Sequence, residues 1–275
     1  MEIIIPVIIL SLIGIVSGLG LAVASKVMAV PVDERVAVVT EMLPGANCGA
    51  CGYSGCGGYA EALASGEAKN GLCSPGGADT AGEIAQYLGS GDVEVEYKTA
   101  LVHCMGTYDN TSDRMVYQGL KSCSAVLQLF GGNTSCPWGC TGLGDCADVC
   151  EYGAITVCNG VASINPEKCV GCSMCVRTCP HHLISFVPLK KQAVIRCSNC
   201  DKGAQARKVC KTACLACMKC AKTCRYEAIS ITEFNATVDA KKCTGCGECV
   251  EVCPQKCITF FTHEAPKKEK TAVQA

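Results

Sequence analysis

Cysteine recurs in this sequence in tight runs whose spacing is suited to one kind of chemistry. Cys169, Cys172, Cys175 and Cys179, followed by Pro180, read C-x2-C-x2-C-x3-C-P, and Cys243, Cys246, Cys249 and Cys253 with Pro254 repeat that pattern. Cys214, Cys217, Cys220 and Cys224 keep the spacing, with Arg225 in the proline position. In such runs three close thiolates hold three corners of one [4Fe–4S] cluster, and the fourth turns away to ligate the other cluster of a pair. The chemistry implied is one-electron transfer. The total of 27 cysteines in 275 residues is far above ordinary usage. Their bunching in a long chain argues against the short secreted disulfide scaffold that dense cysteine otherwise suggests.

Shifting the chain by 74 residues superimposes Cys136, Cys140, Cys146 and Cys150 on Cys210, Cys214, Cys220 and Cys224, and the 169–179 run on the 243–253 run. Two tandem modules follow from this duplication. The swapped-ligand rule then predicts four sets. They are Cys150 with Cys169, Cys172 and Cys175; Cys136, Cys140 and Cys146 with Cys179; Cys214, Cys217 and Cys220 with Cys253; and Cys224 with Cys243, Cys246 and Cys249. One run departs from the pattern, because Leu143 stands where the second module has Cys217. Cys136 is therefore expected to serve as a ligand there, with a three-iron cluster as the alternative. Upstream, Cys48, Cys51, Cys56 and Cys73 are spaced C-x2-C-x4-C-x16-C among glycines that let backbone wrap a bulky cofactor. A [4Fe–4S] cluster suits them better than a four-cysteine zinc site, which more often shows two separated C-x2-C knuckles.

Five clusters use 20 cysteines and leave 104, 123, 158, 197, 200, 210 and 257. Cys123 and Cys197 also differ by 74 and read as equivalent positions. Cys104, Cys123, Cys197 and Cys210 are the candidates for a sixth cluster, weighed against the plainer reading of buried free thiols. Cys158 and Cys257 lie in strand-like stretches and are expected to be packed. His181 and His182 read as loop residues, and packing is sufficient reason for Trp138.

The elements that must position these thiols are modest. Aromatic residues make up only 5% of the chain, so small modules built around something other than packed side chains are expected. Short β-prone stretches follow the cysteine runs at 154–157, 183–187, 228–231 and 257–260. Helical spacing covers 32–42, with Asp33 as N-cap, and a short helix is expected over 59–63. Residues 3–25 carry no charge and as a helix span roughly 35 Å, enough to cross a bilayer. Glu2 and the lack of Lys or Arg before this stretch argue against a signal peptide. Reduced thiolates favour placing 31–275 on the cytoplasmic side. The fold class expected is α+β: a transmembrane helix (1–30), a small mainly helical iron–sulfur domain (31–100), two ferredoxin-like two-cluster modules (101–189 and 190–263) and a disordered tail (264–275).

No dinucleotide fingerprint and no phosphate-binding loop is present, so a nicotinamide substrate would belong to another chain, and no nucleic-acid partner is expected. The net charge of −1 hides an asymmetry. Residues 31–100 hold ten acidic residues against three basic, whereas 190–263 hold thirteen basic against six acidic. A basic face beside a cluster would steer an acidic electron-carrier protein by electrostatics.

The order of parts (membrane helix, C-x2-C-x4-C-x16-C, then duplicated ferredoxin runs) resembles the B subunits of Rnf electron-transport complexes, in the long polyferredoxin form with two ferredoxin modules. The resemblance covers almost the whole chain. It implies a component of an ion-translocating (Na⁺ or H⁺) ferredoxin:NAD⁺ oxidoreductase in the cytoplasmic membrane. Such a component takes electrons from reduced ferredoxin and passes them to partner membrane subunits, while a different chain of the complex binds the nicotinamide. The departures at Leu143, Glu151 and Arg225 bear on particular ligands. The competing reading is a polyferredoxin anchor of another membrane reductase, such as one that resets a redox-sensing transcription factor.

Overall fold

A computed structural model describes residues 4–27, 33–91 and 95–263. The tail expected at 264–275 lies outside the described residues. Helix α1 (Ile4–Val27) has a mean hydropathy of 2.6 over Val7–Ser25, with none of that window buried. At 1.5 Å per residue it is about 36 Å long, which by length and composition is enough to cross a bilayer.

The next unit is helical. Asp33 accepts a hydrogen bond from Arg35 N at 2.9 Å and so starts α2 (Glu34–Met42), as its N-cap position predicts. Then come α3 (Cys56–Ala64) and α4 (Gly77–Leu88), which stops at left-handed Gly89. Val39, Leu43, Tyr59, Leu63 and Ile84 form a small core, and half-buried Cys51, Cys56 and Cys73 pack against it.

The rest is built twice. The first copy contains β1 (Lys98–Val102), α5 (Cys123–Phe130), α6 (Asp145–Asp148), β2 (Ile155–Cys158), β3 (Val161–Ile164), α7 (Met174–Thr178) and β4 (Ile184–Pro188). The second contains β5 (Gln192–Ile195), α8 (Gly203–Val209), α9 (Lys219–Thr223), β6 (Ile229–Thr232), β7 (Asn235–Val238), α10 (Glu248–Glu251) and β8 (Ile258–Phe261). Each copy has two antiparallel strand pairs, β1–β4 with β2–β3 and β5–β8 with β6–β7. The four β-prone stretches of the sequence are β2, β4, β6 and β8, each within a residue. Their partners β1, β3, β5 and β7 carry weaker signals. Asn159–Gly160, both at positive φ, turn β2 into β3 as a two-residue hairpin loop requires. Strand β1 crosses the boundary expected between 100 and 101, pairing Lys98 with Pro188 and Val102 with Ile184, so the first copy begins with this strand.

The copies meet through their outer strand pairs. Leu101, Val187, Val194 and Phe261 form one shared apolar cluster. Beside it, Arg196 Nε donates to Val102 O at 2.7 Å. His103 Nδ1 donates to Ile195 O at 2.6 Å and its Nε2 accepts from Ser185 Oγ at 2.6 Å. Burial holds the His103 pKa below its usual value, consistent with the neutral tautomer these partners require. The two modules are therefore locked face to face.

Candidate iron–sulfur sites

All four runs of the duplicated region share one backbone shape. Residues two and four after the leading cysteine have positive φ: Gly142 and Gly144, Gly171 and Ser173, Ala216 and Met218, Gly245 and Gly247. A short helix then follows, as α6, α7, α9 and α10. Backbone N–H groups point at the sulfurs: Ala100 to Cys169, Ala154 to Cys150, Leu183 to Cys179 and Ala228 to Cys224, each at 3.4 Å.

The thiols gather around five cavities of similar size, between about 340 and 410 Å³. Cys150, Cys169, Cys172 and Cys175 line one. Cys224, Cys243, Cys246 and Cys249 line another. Cys214, Cys217, Cys220 and Cys253 line a third, joined there by Cys257. In each, three cysteines of one run meet a fourth from the other run of the same copy. In the upstream domain the Cys73 thiol feels Cys56, Cys48 and Cys51 as neighbours, so that quartet is also together. Asn47 shapes its loop by accepting from Cys56 N at 2.9 Å. Gly55, at φ +134°, leaves room for this, since a Cβ there would lie 2.8 Å from Asn47 Oδ1. The buried Tyr59 hydroxyl donates to Lys69 O at 2.9 Å and accepts from Leu72 N at 3.2 Å, which fixes the approach to Cys73.

The fifth grouping differs from expectation. Cys140, Cys146 and Cys179 share their cavity with Cys123, not with Cys136. Leu143 occupies Cys217's place on the same backbone, and α5, which stands in the element order where the second copy has α8, brings in a thiol from outside the run. Asp145 fixes it, accepting from Cys123 N at 2.8 Å, Ser124 N at 3.1 Å and Ser122 Oγ at 3.0 Å. Burial raises the Asp145 pKa, but these donors outweigh it and leave the net shift downward.

Cys136 instead lines a cavity at the seam with Cys104, Cys197 and Cys210. Cys140 lines it too, so the first copy contributes three thiols and the second two. Cys104 and Cys197 are the structural equivalents, not Cys123 and Cys197. His103 N and Arg196 N, the residues just before them, bond Leu183 O and Cys257 O, each at 2.7 Å, and those acceptors are 74 residues apart. The segment from Cys104 to Cys136 is longer than that from Cys197 to Cys210, which shifts the register of everything before it and makes the Cys123–Cys197 offset a coincidence. Buried Asn199 donates to Cys136 Sγ at 3.5 Å. The seam cavity also touches both neighbours, since Cys140 N donates to Cys104 Sγ at 3.4 Å and Cys214 N to Cys197 Sγ at 3.3 Å. Cys158 is exposed rather than packed, and Cys200 is half-buried. Cys257 is buried with its sulfur 3.7 Å from Cys253 Sγ, and this contact draws the Cys253 pKa down to about 5.

The donor set fits a cationic iron–sulfur core. Burial, then neighbouring cysteines, push Cys146 up to about 12 and Cys175 and Cys249 up to about 11. Burial likewise pushes Cys197 to about 12 and Cys140 to about 11. Such groups ionise together only when a cation offsets their repulsion. Two buried polar atoms without partners, Thr141 Oγ1 and His181 Nε2, belong to residues lining the Cys123/Cys140/Cys146/Cys179 cavity. A group filling that cavity would satisfy them. Among the described residues, no three Cys, His, Asp or Glu side chains close around a single ion, as mononuclear zinc with Zn–S near about 2.3 Å demands.

Family models match three segments: an Fe–S cluster domain over residues 43–75, a 4Fe-4S binding domain over 162–185 and a 4Fe-4S dicluster domain over 213–257. The chain is 42% identical to the B subunit of the Na(+)-translocating ferredoxin:NAD(+) oxidoreductase complex of Acetobacterium woodii, covering 94% of this chain and 78% of that protein. It is 35% identical to the B subunit of the ion-translocating oxidoreductase complex of Methanosarcina acetivorans, over 89% of this chain and 93% of that one. It is also 35% identical to the B subunit of the proton-translocating ferredoxin:NAD(+) oxidoreductase complex of Clostridium ljungdahlii, over 91% and 90%. With iron–sulfur domains at both ends of the region beyond α1 and such likeness along nearly its whole length, the chain belongs to the B subunits of ion-translocating ferredoxin:NAD⁺ oxidoreductase (Rnf) complexes, which serve as iron–sulfur electron-transfer components.

Proposed function

We propose that the chain is a membrane-anchored relay of six [4Fe–4S] sites in single file. The upstream quartet Cys48, Cys51, Cys56 and Cys73 comes first. Then follow Cys150/Cys169/Cys172/Cys175, Cys123/Cys140/Cys146/Cys179, the seam set Cys104/Cys136/Cys197/Cys210, Cys214/Cys217/Cys220/Cys253 and Cys224/Cys243/Cys246/Cys249. When bound, each cluster takes and gives one electron. The protein's contribution is to hold thiolates, exclude water and keep successive sites adjacent. The observation that carries this reading is the seam, where sulfurs of one site accept N–H bonds from the lead cysteines of both flanking sites. Without a seam site the two modules' sites would be separated by that cavity.

In this reading reduced ferredoxin docks on the second module, partner membrane subunits receive electrons from the upstream site, and residues 33–263 face the cytoplasm. Exposed Lys202 at the start of α8, Arg207 and Lys208 within it, and Lys219 and Lys222 on α9 supply the positive face. Lys211 does not belong with them, since its Nζ donates to Asp109 O at 2.8 Å across the seam. Na⁺ or H⁺ export coupled to NAD⁺ reduction belongs to the assembled complex.

The test is an anoxic redox titration of the full chain, with electron paramagnetic resonance and iron measured on one sample. Signals near roughly −400 mV and about twenty-four irons per chain support the relay. Zinc-containing protein that reconstitutes no clusters overturns it. Cys48→Ser that leaves electron delivery to the partner subunits unimpaired overturns the proposed exit.

A further inference from the structure

Arg177 and Ser173 have no part in any ligand set, yet both reach across to the upstream domain. Arg177 Nη2 donates to Cys48 O at 2.7 Å and Ser173 Oγ donates to the same carbonyl at 3.4 Å. The backbones meet as closely. Gly171, at φ +71°, sits close to the upstream domain, since a Cβ there would crowd Ser74 Cβ at 3.2 Å and Lys98 O at 3.3 Å. The cysteine loop 169–175 is thus pressed against both ends of the upstream quartet, at Cys48 and beside Cys73.

The internal repeat shows that this contact is particular to one run. Seventy-four residues on, Ser173 becomes Gly247 and Arg177 becomes Glu251. At the same place in the other two runs stand Asp148 and Lys222. Only one of four similar loops carries a guanidinium able to hold a carbonyl, and two carry carboxylates that would repel both that oxygen and the acidic upstream domain. Arg177 is exposed, so it does not serve as core packing.

We infer that Arg177, with Ser173, is a positioning clamp that seats the upstream cysteine loop on the Cys169–Cys175 loop and so selects which site of the relay adjoins the exit. This rests on the relay reading above. Arg177→Glu, the residue of the second module, should remove the seat, and Arg177→Lys should keep part of it. A charge-assisted hydrogen bond of this kind implies a fall in the seated population of roughly tenfold or more.

The experiment uses the full, cluster-loaded chain and three readouts: iron content with midpoint potentials, magnetic coupling between the upstream cluster and its neighbour, and intrachain electron equilibration after flash reduction. For Arg177→Glu we expect unchanged iron and potentials, lost coupling and equilibration slowed about tenfold. Ser173→Gly, which removes only the longer bond, should give a smaller loss of the same kind. Coupling and rate in Arg177→Glu equal to wild type overturn the clamp. A wild-type chain with no coupled clusters overturns the relay itself, which keeps the two failures distinct.

Discussion

Cys123 offers the sharpest test of how the sites are assembled. It is 8% exposed, sits at the start of an eight-residue helix, and lies outside the run whose cavity it lines. Replacing it with Ala leaves Cys140, Cys146 and Cys179 around their cavity with three thiolates for a four-cornered cluster. If that site empties, the chain loses about four of roughly twenty-four irons. If it keeps a three-iron remnant, it loses about one. Leu143→Cys in the same background should restore the count, because Leu143 lies on the backbone conformation that presents Cys217, with flanking φ of +71° and +97° against +51° and +61°. The assay is iron and sulfide per chain, with spin counting of the reduced protein. Cys136→Ala supplies the control. If Cys136 serves the seam, the double variant with Cys123→Ala loses two clusters additively. If both thiols served one cluster, the second substitution would add nothing, since groups in one unit are non-additive. Full iron in Cys123→Ala, or a double variant no worse than either single, refutes the grouping.

Four further outcomes follow from the same geometry. Asp145→Ala removes three bonds that fix α5 and should cost about 2–3 kcal/mol, confined to that helix; faster amide exchange over 123–130 and faster chelator-driven loss of one cluster would show it. Phe261→Ala empties the shared cluster with Leu101, Val187 and Val194 at about 3–5 kcal/mol, and should loosen the seam, read as selective loss of the cluster that needs thiols from both modules. Cys257→Leu, the residue its counterpart Leu183 already is, removes a sulfur donor beside Cys253 and should lower the potential of a single cluster, since hydrogen bonds to cluster sulfurs raise it; a titration in which every signal stays in place would refute this. Reversing Lys202, Arg207 and Lys208 should slow reduction by ferredoxin and flatten its dependence on salt, whereas reversing Lys211 should disturb the seam instead.

The legible part of this molecule is whatever repeats at short range. The C-x2-C-x2-C-x3-C runs can be read as candidate ligands because close thiols on one turn of backbone can face one cube, and the grouping of three thiols with a fourth from the other run is legible from the same spacing. Helix α2 is readable from Asp33 and its apolar spacing, and the four strands after the runs from their β-branched content. The illegible part depends on long-range closure. Cys123 lines the cavity of Cys146 because α5 is held on Asp145, and no spacing rule reports a thiol brought in by a helix outside the run. The seam set is nearly visible, as three of its members stand among the leftover thiols. Its fourth, Cys136, is drawn to the gap at Leu143 when that run is read in isolation. Strands β1 and β5 are short, and buried Thr99 and Gln192 interrupt their apolar pattern, so only pairing with β4 and β8 reveals them.

In the proposed relay, the duplication and the longer segment between Cys104 and Cys136 together account for a seam site. In the second copy the pair Cys197 and Cys210 stands beside its run without completing a quartet, and the same holds for Cys104 and Cys136 in the first. Neither pair can hold a cluster alone, since two thiolates leave half the corners unfilled. Once the outer strand pairs pack on one another through Leu101, Val187, Val194 and Phe261, the two half-sites face each other and the set is complete. The arrangement requires that Cys136 be free for the seam, which it is only if the run lacking a cysteine at 143 finds its ligand elsewhere. Helix α5 would meet that requirement through Cys123, which lines the cavity of Cys140, Cys146 and Cys179. If Cys123 and the seam thiols bind as proposed, a variant that changes Leu143 to cysteine should make α5 dispensable for iron binding while leaving the seam intact.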